Sequence, residues 1–301
     1  MARIYTEHKE VSAILNAKRN ARSVVGERIQ KTANPREKKA ALEEAKALKK
    51  DATELESKLA ELDDQLLSLA LAIPNDTHPS SPLGPESAAV ILSTHGPEPI
   101  PTSPARDHVT VGRALELMDL EAGATVTGSS WYYLLNEGAL LEIALTNYAL
   151  SIALKHGFSP VTTPDVVRSD IAQRCGFQPR DHDTDPPASQ MYYIANHTTS
   201  APQYTHPELL LSGTAEIPLA GLFANKLLPP NVLPMKVVGL GRSFRAEAGA
   251  RGSETRGLYR VHQFSKLELF AVAQEGQSEG VMEDMRKVQV EIYSGLGFPF
   301  R

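Results

Sequence analysis

The stretches MKVVGLGRSFRAE at residues 235–247 and LYRVHQFSKLELFAVA at 258–273 flank the loop AGARGSETRG at 248–257. Both stretches read as strands, with the loop between them. Together they predict a long antiparallel hairpin. Long antiparallel strands beside helices indicate an α+β domain rather than an alternating βαβ fold. Alternate residues of an extended strand share a face. Arg245 and Glu247 are therefore expected to point the same way. On the return strand Arg260, His262, Phe264, Lys266, Glu268 and Phe270 are expected opposite Tyr259, Val261, Gln263, Ser265, Leu267 and Leu269. The first face alternates charge with aromatic rings, which suits a site better than a core.

The chemistry of that face can be reasoned from its parts. An arginine fork pairs bidentately with a phosphate, and an aromatic ring offers a stacking surface to a base. A carboxylate such as Glu268 receives an ammonium group or a hydroxyl. Upstream, Thr214 and Glu216 are spaced so that both could reach one small polar ligand in extended geometry. Plainer alternatives stand beside these. Thr214 can be a helix N-cap with Glu216 in its first turn. Arg245 with Glu247, and Lys266 with Glu268, can be ordinary ion pairs.

Working toward the amino terminus, a helix is expected over 216–228 and strands over 209–213 and 191–194, with a polar surface loop at 178–190. Residues 158–167 read as a strand interrupted by Pro160 and Pro164, hence at an edge or boundary. Trp131 to His156 reads as a helix apolar around most of its circumference, with Gly157 as its C-terminal cap. Such a helix is buried in a core or a subunit interface. Eight prolines between Pro74 and Pro104 mark a linker or an extended crossing segment.

Residues 11–72 read as two long helices broken at Asn34-Pro35. In the second, Ala41, Ala45, Leu48, Ala52, Leu55, Leu59, Leu62, Leu66 and Leu69 alternate spacings of four and three, a heptad seam. The first carries a weaker stripe, Ile14, Ala17, Ala21, Val24 and Arg28. An antiparallel hairpin with a turn near 32–36 is the expected arrangement, with a self-dimerising coiled coil as its rival. From Lys9 to Lys50 twelve basic residues face five acidic ones, whereas Asp51 to Asp64 is predominantly acidic. The end near the turn is thus basic, suited to a phosphate backbone or simply to solvent.

The whole chain has 301 residues, 42% hydrophobic and 22% charged, as an ordinary globular protein has. That length accommodates two domains. A single cysteine, Cys175, allows no intrachain disulfide and no Cys-rich zinc module. No apolar run approaches the roughly 20 residues that span a bilayer, so no membrane is expected. The net charge of −5 confines any basic surface to a local patch. The opening ten residues lack the apolar core of a secretory signal.

The segment FRAEAG at 244–249, followed by TRGLYRVHQFSKLE at 255–268, resembles motif 2 of the class II aminoacyl-tRNA synthetases in its seryl-tRNA synthetase version. Thr214-Ala215-Glu216 resembles that family's serine-binding Thr-x-Glu element, residues 131–164 resemble motif 1, and residues 11–72 resemble its tRNA-binding helical arm. The resemblance implies a helical arm at 1–73, a Pro-rich linker at 74–108, and at 109–301 a catalytic core on an antiparallel sheet. It implies a serine–tRNA ligase that uses ATP and Mg²⁺, with L-serine and tRNA(Ser) as substrates, acting as a homodimer. Arg245 would hold the α-phosphate as the catalytic residue, Ala246 and Glu247 would meet adenine, Phe264 would stack on it, and Val261, His262 and Gln263 would line the nucleotide site. Thr214, Ala215, Glu216 and Glu268 would bind serine. Arg256 would approach the tRNA acceptor end, and Arg19, Arg22, Lys31, Arg36, Lys38 and Lys39 the tRNA body. Metal ligands remain unassigned. Nothing like motif 3 follows, so a fragment or an inactive, tRNA-binding paralogue is the alternative. The RAEAG form of motif 2 resembles bacterial and organellar members, which implies a mitochondrial matrix more than a cytoplasmic location.

Overall fold

The computed structural model describes residues 1–73, 76–177, 189–195, 208–247 and 256–301. Most of the polar loop expected at 178–190, and the hairpin loop over 248–255, lie outside the described residues. The chain divides into two compact units, Met1–Ser81 and Pro82–Arg301.

The first unit is a pair of antiparallel helices, α1 (Ala2–Lys31) and α2 (Pro35–Leu71). α1 begins at Ala2 rather than near residue 11. Pro35 opens α2 at the position where its missing N–H costs nothing, and Asn34 Oδ1 accepts the Arg36 N–H at 3.0 Å. Ion pairs that converge on the turn fix the antiparallel sense: Glu7 with Lys58 at 2.7 Å, Lys18 with Asp51 at 2.7 Å, and Arg28 with Glu44. The helices therefore pair with each other inside one chain. The α2 seam packs as expected, with Ala41, Ala52 and Leu62 buried, although Leu69 is exposed.

The stripe expected on α1 is displaced by one residue. Ile14 and Val24 are 50% and 66% exposed, whereas Val11, Leu15 and Val25 are buried. The true heptad passes through His8 and Lys18, polar residues that break the apolar signal. Each reaches a carboxylate of α2, His8 to Asp63 at 2.8 Å and Lys18 to Asp51 at 2.7 Å. Partnered in this way, polar groups can occupy a seam that hydrophobicity alone would assign elsewhere.

The second unit opens with α3 (His108–Ala114), capped by Asp107, then β1 (Met118–Asp119), α4 (Leu120–Val126) and β2 (Tyr133–Leu134). β1 and β2 pair antiparallel. Because Tyr133 and Leu134 are held in that pair, the next helix, α5 (Asn136–Lys155), starts five residues later than expected. Gly157, at φ +82°, ends it as expected. There follow β3 (Ser159–Thr162), β4 (Val166–Arg168), α6 (Ser169–Arg174), β5 (Leu209–Leu211) and α7 (Glu216–Phe223). Residues 191–194 form no strand and contribute a single bridge, Tyr193 to Leu210. β6 (Met235–Phe244), β7 (Gln263–Val272) and α8 (Ser278–Leu296) complete the order.

β6 and β7 are the expected hairpin, in continuous antiparallel register from Met235↔Val272 to Phe244↔Gln263. It is shorter than expected at both inner ends, since residues 245–247 and 258–262 leave the ladder. β3 joins β6 in parallel at the sheet edge, where Pro160 costs little. On one face Val238, Leu267 and Leu269 pack on Ile152 and Phe158 and on Val288 of α8. On the other, Val237 and Phe270 pack on Ala215, Leu219 and Phe223. The two-residue alternation read from β7 thus sorts its side chains correctly. Sequence reading passed over α8, although Val281, Met285, Val288 and Ile292 form a helical stripe with Gly297 beyond its end. The outer side of α5 stays open, with Leu140, Leu141 and Ile143 more than half exposed.

Candidate active site

On the α7 side of the hairpin, directly opposed pairs climb from core to opening: Val237↔Phe270, Gly239↔Glu268, Gly241↔Lys266 and Ser243↔Phe264. The two glycines leave β6 without side chains beneath Glu268 and Lys266. A Cβ on Gly241 would lie 2.8 Å from Thr163 Oγ1, so neighbouring segments close tightly over the strand. That approach brings in Thr214, 1% exposed, at the turn between β5 and α7.

Three side chains meet there. Thr214 Oγ1 donates to Glu268 Oε2 at 2.7 Å, and Lys266 Nζ donates to Thr214 Oγ1 at 2.9 Å. Lys266 Nζ also lies 2.8 Å from Glu268 Oε2. The cluster is a shielded carboxylate with a hydroxyl and a cation, a set that recognises a small polar ligand with an ammonium or hydroxyl group.

Glu216 stands apart from it. Ala215 adopts helical angles, so the extended geometry expected for 214–216 is absent, and Glu216 begins α7 as an exposed residue. Its N–H reaches Thr214 Oγ1 at 3.4 Å, so Thr214 serves only as a long, weak cap. The Glu216 carboxylate acts instead on Cys175, whose thiol is pushed up first by burial and then by that charge. Ala215 is buried against Leu219 and Val237.

Beyond the ladder, Arg245 is held by its N–H to the His262 carbonyl at 2.9 Å. Its guanidinium lies 5.2 Å from the centre of the Phe264 ring, and Nε donates to the Gly213 carbonyl at 3.3 Å. Arg245 thus sits between the Thr214 turn and an aromatic face. The expected alternation to Glu247 fails because Glu247 has φ +46°, outside extended geometry. Its carboxylate, largely shielded, pairs with Arg260, which gives that arginine of the expected site face a partner. Ala246 N–H donates to the Gln190 carbonyl at 2.9 Å. Val261 is buried, and Gln263 opens β7. His262 Nδ1 is 2.9 Å from the Arg245 carbonyl, which accepts its proton, and the ring lies 5.8 Å from Trp131 and 6.1 Å from Tyr192.

Arg256 pairs with Asp107 at 3.3 Å. Burial acts to raise the Asp107 carboxyl, but the Thr110 and Val109 N–H groups and the Arg256 charge hold it below the usual range. His108 Nε2 accepts the Leu258 N–H at 3.0 Å, and its ring lies 4.3 Å from Tyr259. The start of α3 therefore anchors the chain where it leaves the hairpin loop, a role that the linker reading of the neighbouring residues concealed.

In the helical unit Arg19 is paired with Glu56 at 2.8 Å and Lys31 with Glu27 at 3.6 Å. Arg22, Arg36, Lys38 and Lys39 make no ion pair among the described residues. The described residues also group no three His, Cys, Asp or Glu side chains fit to hold a metal. No helix among the described residues is long and apolar enough to cross a membrane.

Comparison with known proteins decides the relationship. Residues 2–77 match the family described as the seryl-tRNA synthetase N-terminal domain, and residues 198–301 match the class II tRNA synthetase core domain for G, H, P, S and T. The chain belongs to the seryl-tRNA synthetase family. A serine–tRNA ligase of Treponema denticola is 40% identical over 76% of this chain and 51% of its own length. The mitochondrial serine–tRNA ligase of Schizosaccharomyces pombe is 42% identical over 78% of this chain and 48% of its own. The crystal structure of seryl-tRNA synthetase from Pyrococcus horikoshii complexed with ATP superposes with TM-score 0.74 at 29% identity, covering all of this chain and 68% of that one. The chain spans about half the length of the curated seryl-tRNA synthetases it matches.

Proposed function

We propose that the protein is a serine–tRNA ligase, acting as an enzyme on ATP, L-serine and tRNA(Ser). The observation that carries this reading is the Thr214–Lys266–Glu268 cluster beside Arg245, which bonds the Gly213 carbonyl next to Thr214, and beside Phe264, which precedes Lys266 on the same strand face. An amino-acid site and a phosphate-and-base site thus adjoin on one sheet face. In the first step a serine carboxylate oxygen attacks the α-phosphorus of ATP and pyrophosphate leaves. In the second, a terminal ribose hydroxyl of tRNA takes the acyl group and AMP leaves. Neither step needs a protein nucleophile, so alignment and neutralisation of phosphate charge do the work.

In this reading Arg245 meets the α-phosphate and Phe264 stacks on adenine. Ala246, Glu247, Val261, His262 and Gln263 border the base, with Arg260 fixing the Glu247 carboxylate. Thr214, Ala215 and Glu268 form the serine pocket, and Glu216, which stands apart from the cluster here, would have to turn toward it to take part. A pocket whose buried acceptors need the substrate hydroxyl penalises alanine by leaving them unpaired. Arg256 faces the acceptor end, and Arg19, Arg22, Lys31, Arg36, Lys38 and Lys39 of the 1–73 arm face the tRNA body, with 74–108 as linker and 109–301 as core. The open apolar side of α5 supports a homodimer contact there, and Ile143→Glu should shift the mass measured by light scattering to that of a monomer. Mg²⁺ arrives with the nucleotide. A mitochondrial matrix location is supported by the Schizosaccharomyces pombe relative and tested by imaging the full-length protein.

Serine-dependent ATP–pyrophosphate exchange by the full-length protein tests the activity. We expect exchange with serine, reduced about 10²-fold or more by Arg245→Ala. Absence of exchange with retained tRNA binding would overturn the ligase reading in favour of a tRNA-binding relative.

A further inference from the structure

Lys266 has no part in the scheme above, yet its ammonium occupies the centre of the amino-acid cluster. It lies 2.9 Å from Thr214 Oγ1 and 2.8 Å from Glu268 Oε2. A substrate ammonium would seek those same two oxygens. The Thr214 hydroxyl proton is committed to Glu268, so its lone pairs are offered to a cation. The Glu268 side chain is only 21% exposed, and a shielded carboxylate without a positive partner is costly. Lys266 itself is 33% exposed on a flexible four-carbon stem, and it faces Gly241 across the ladder, so no β6 side chain locks it in place.

We propose that Lys266 is a positioning residue, an internal counter-ion that holds the place of the amino-acid ammonium on Thr214 and Glu268 and is displaced when the amino acid binds. The inference rests on the amino-acid-site reading above. The lysine keeps Glu268 paired and aimed in the empty site, and it makes entry conditional: a ligand lacking an ammonium cannot substitute for the lysine. The cost is weaker apparent affinity, by the fraction of time that the site stands open.

The test is calorimetric binding of 2-aminoethanol, which has the ammonium and hydroxyl but no carboxylate, to the full-length protein. Lys266→Met should tighten binding about tenfold, as expected if the lysine occupies the site roughly nine-tenths of the time. Lys266→Arg should restore weak binding. The ammonium-free 3-hydroxypropionate should change less than about twofold by the same reasoning. Damage to the fold would loosen both probes, so a gain confined to the ammonium probe separates displacement from a structural role. Lys266→Gln serves if the methionine variant does not fold. Unchanged or weaker 2-aminoethanol binding in a folded variant overturns the proposal. Because calorimetry needs no turnover, an absence of serine-dependent exchange in the unaltered protein would count against the ligase reading alone.

Discussion

Gly239 stands directly opposite Glu268 across the β6–β7 ladder, and a Cβ on it would lie 2.9 Å from Cδ1 of Leu219. Leu219 is fully buried, so its side chain has nowhere to retreat. Gly239→Ala should therefore push α7 away from the sheet and carry Thr214 off Glu268. Overpacking of this kind costs about 1–3 kcal/mol. Urea unfolding should show a lower midpoint with an unchanged slope, and serine affinity should fall with it. A midpoint equal to that of the unaltered protein would contradict this packing.

Thr214→Val keeps the side-chain volume and removes the hydroxyl shared by Glu268 and Lys266. The net loss in stability should be about 1 kcal/mol, the usual value of one hydrogen bond. The functional loss should be larger, on the order of 10²-fold in kcat/KM for serine-dependent exchange, because the amino-acid site loses one of the two oxygens that would receive the charged ammonium. An equal loss on both measures would make Thr214 a structural residue only.

The α2 seam was legible because its period is unbroken by polar substitution, and the hairpin because two strand-like stretches flank one loop, after which the two-residue alternation of extended backbone sorts the faces whatever their polarity. Legibility failed where a local backbone choice overrode the period. Glu247 turns to φ +46°, and Ala215 goes helical where extension was expected. It failed also on α1, where His8 and Lys18 hide the seam behind ion pairs with α2. That reading has a direct check: Val25→Lys should unfold the helical pair at markedly lower temperature by circular dichroism, whereas Val24→Lys should leave it within about 0.5 kcal/mol. Val25 is 3% exposed and Val24 66%. The relation of Lys266 to Thr214 was invisible for another reason. The two lie 52 residues apart, and only the closeness allowed by Gly239 and Gly241 brings them together.

Lys236 Nζ bonds Asp284 at 2.8 Å, tying β6 to α8. The hydrogen bond from Lys236, and then its charge, hold the Asp284 carboxyl below its ordinary range. A depressed folded pKa contributes stability that is present above the unfolded value and lost as pH falls through the folded one. The second unit should therefore weaken on acidification below the ordinary carboxylate range. Asp284→Asn should flatten that part of the stability profile while changing little toward alkaline pH. An identical acid slope in the variant would assign the effect to other carboxylates.

Arg36, Lys38 and Lys39 crowd the first turn of α2 beside the hairpin bend and make no ion pair among the described residues, whereas Arg19 is already committed to Glu56. A cation without a partner gives nothing up when it meets a phosphate, and each phosphate it neutralises releases counterions. Replacing Arg36, Lys38 and Lys39 together by alanine should weaken tRNA binding and lower the slope of log K against log salt by about one unit for each phosphate no longer neutralised, close to three in all. Arg19→Ala should cost less, since it also frees Glu56 to repel the backbone only from an exposed, screened position. Serine-dependent ATP–pyrophosphate exchange, which uses no tRNA, should not respond to either change. If the triple replacement leaves the salt slope intact, the basic end of the arm is only a solvated face and takes no part in the proposed tRNA contact.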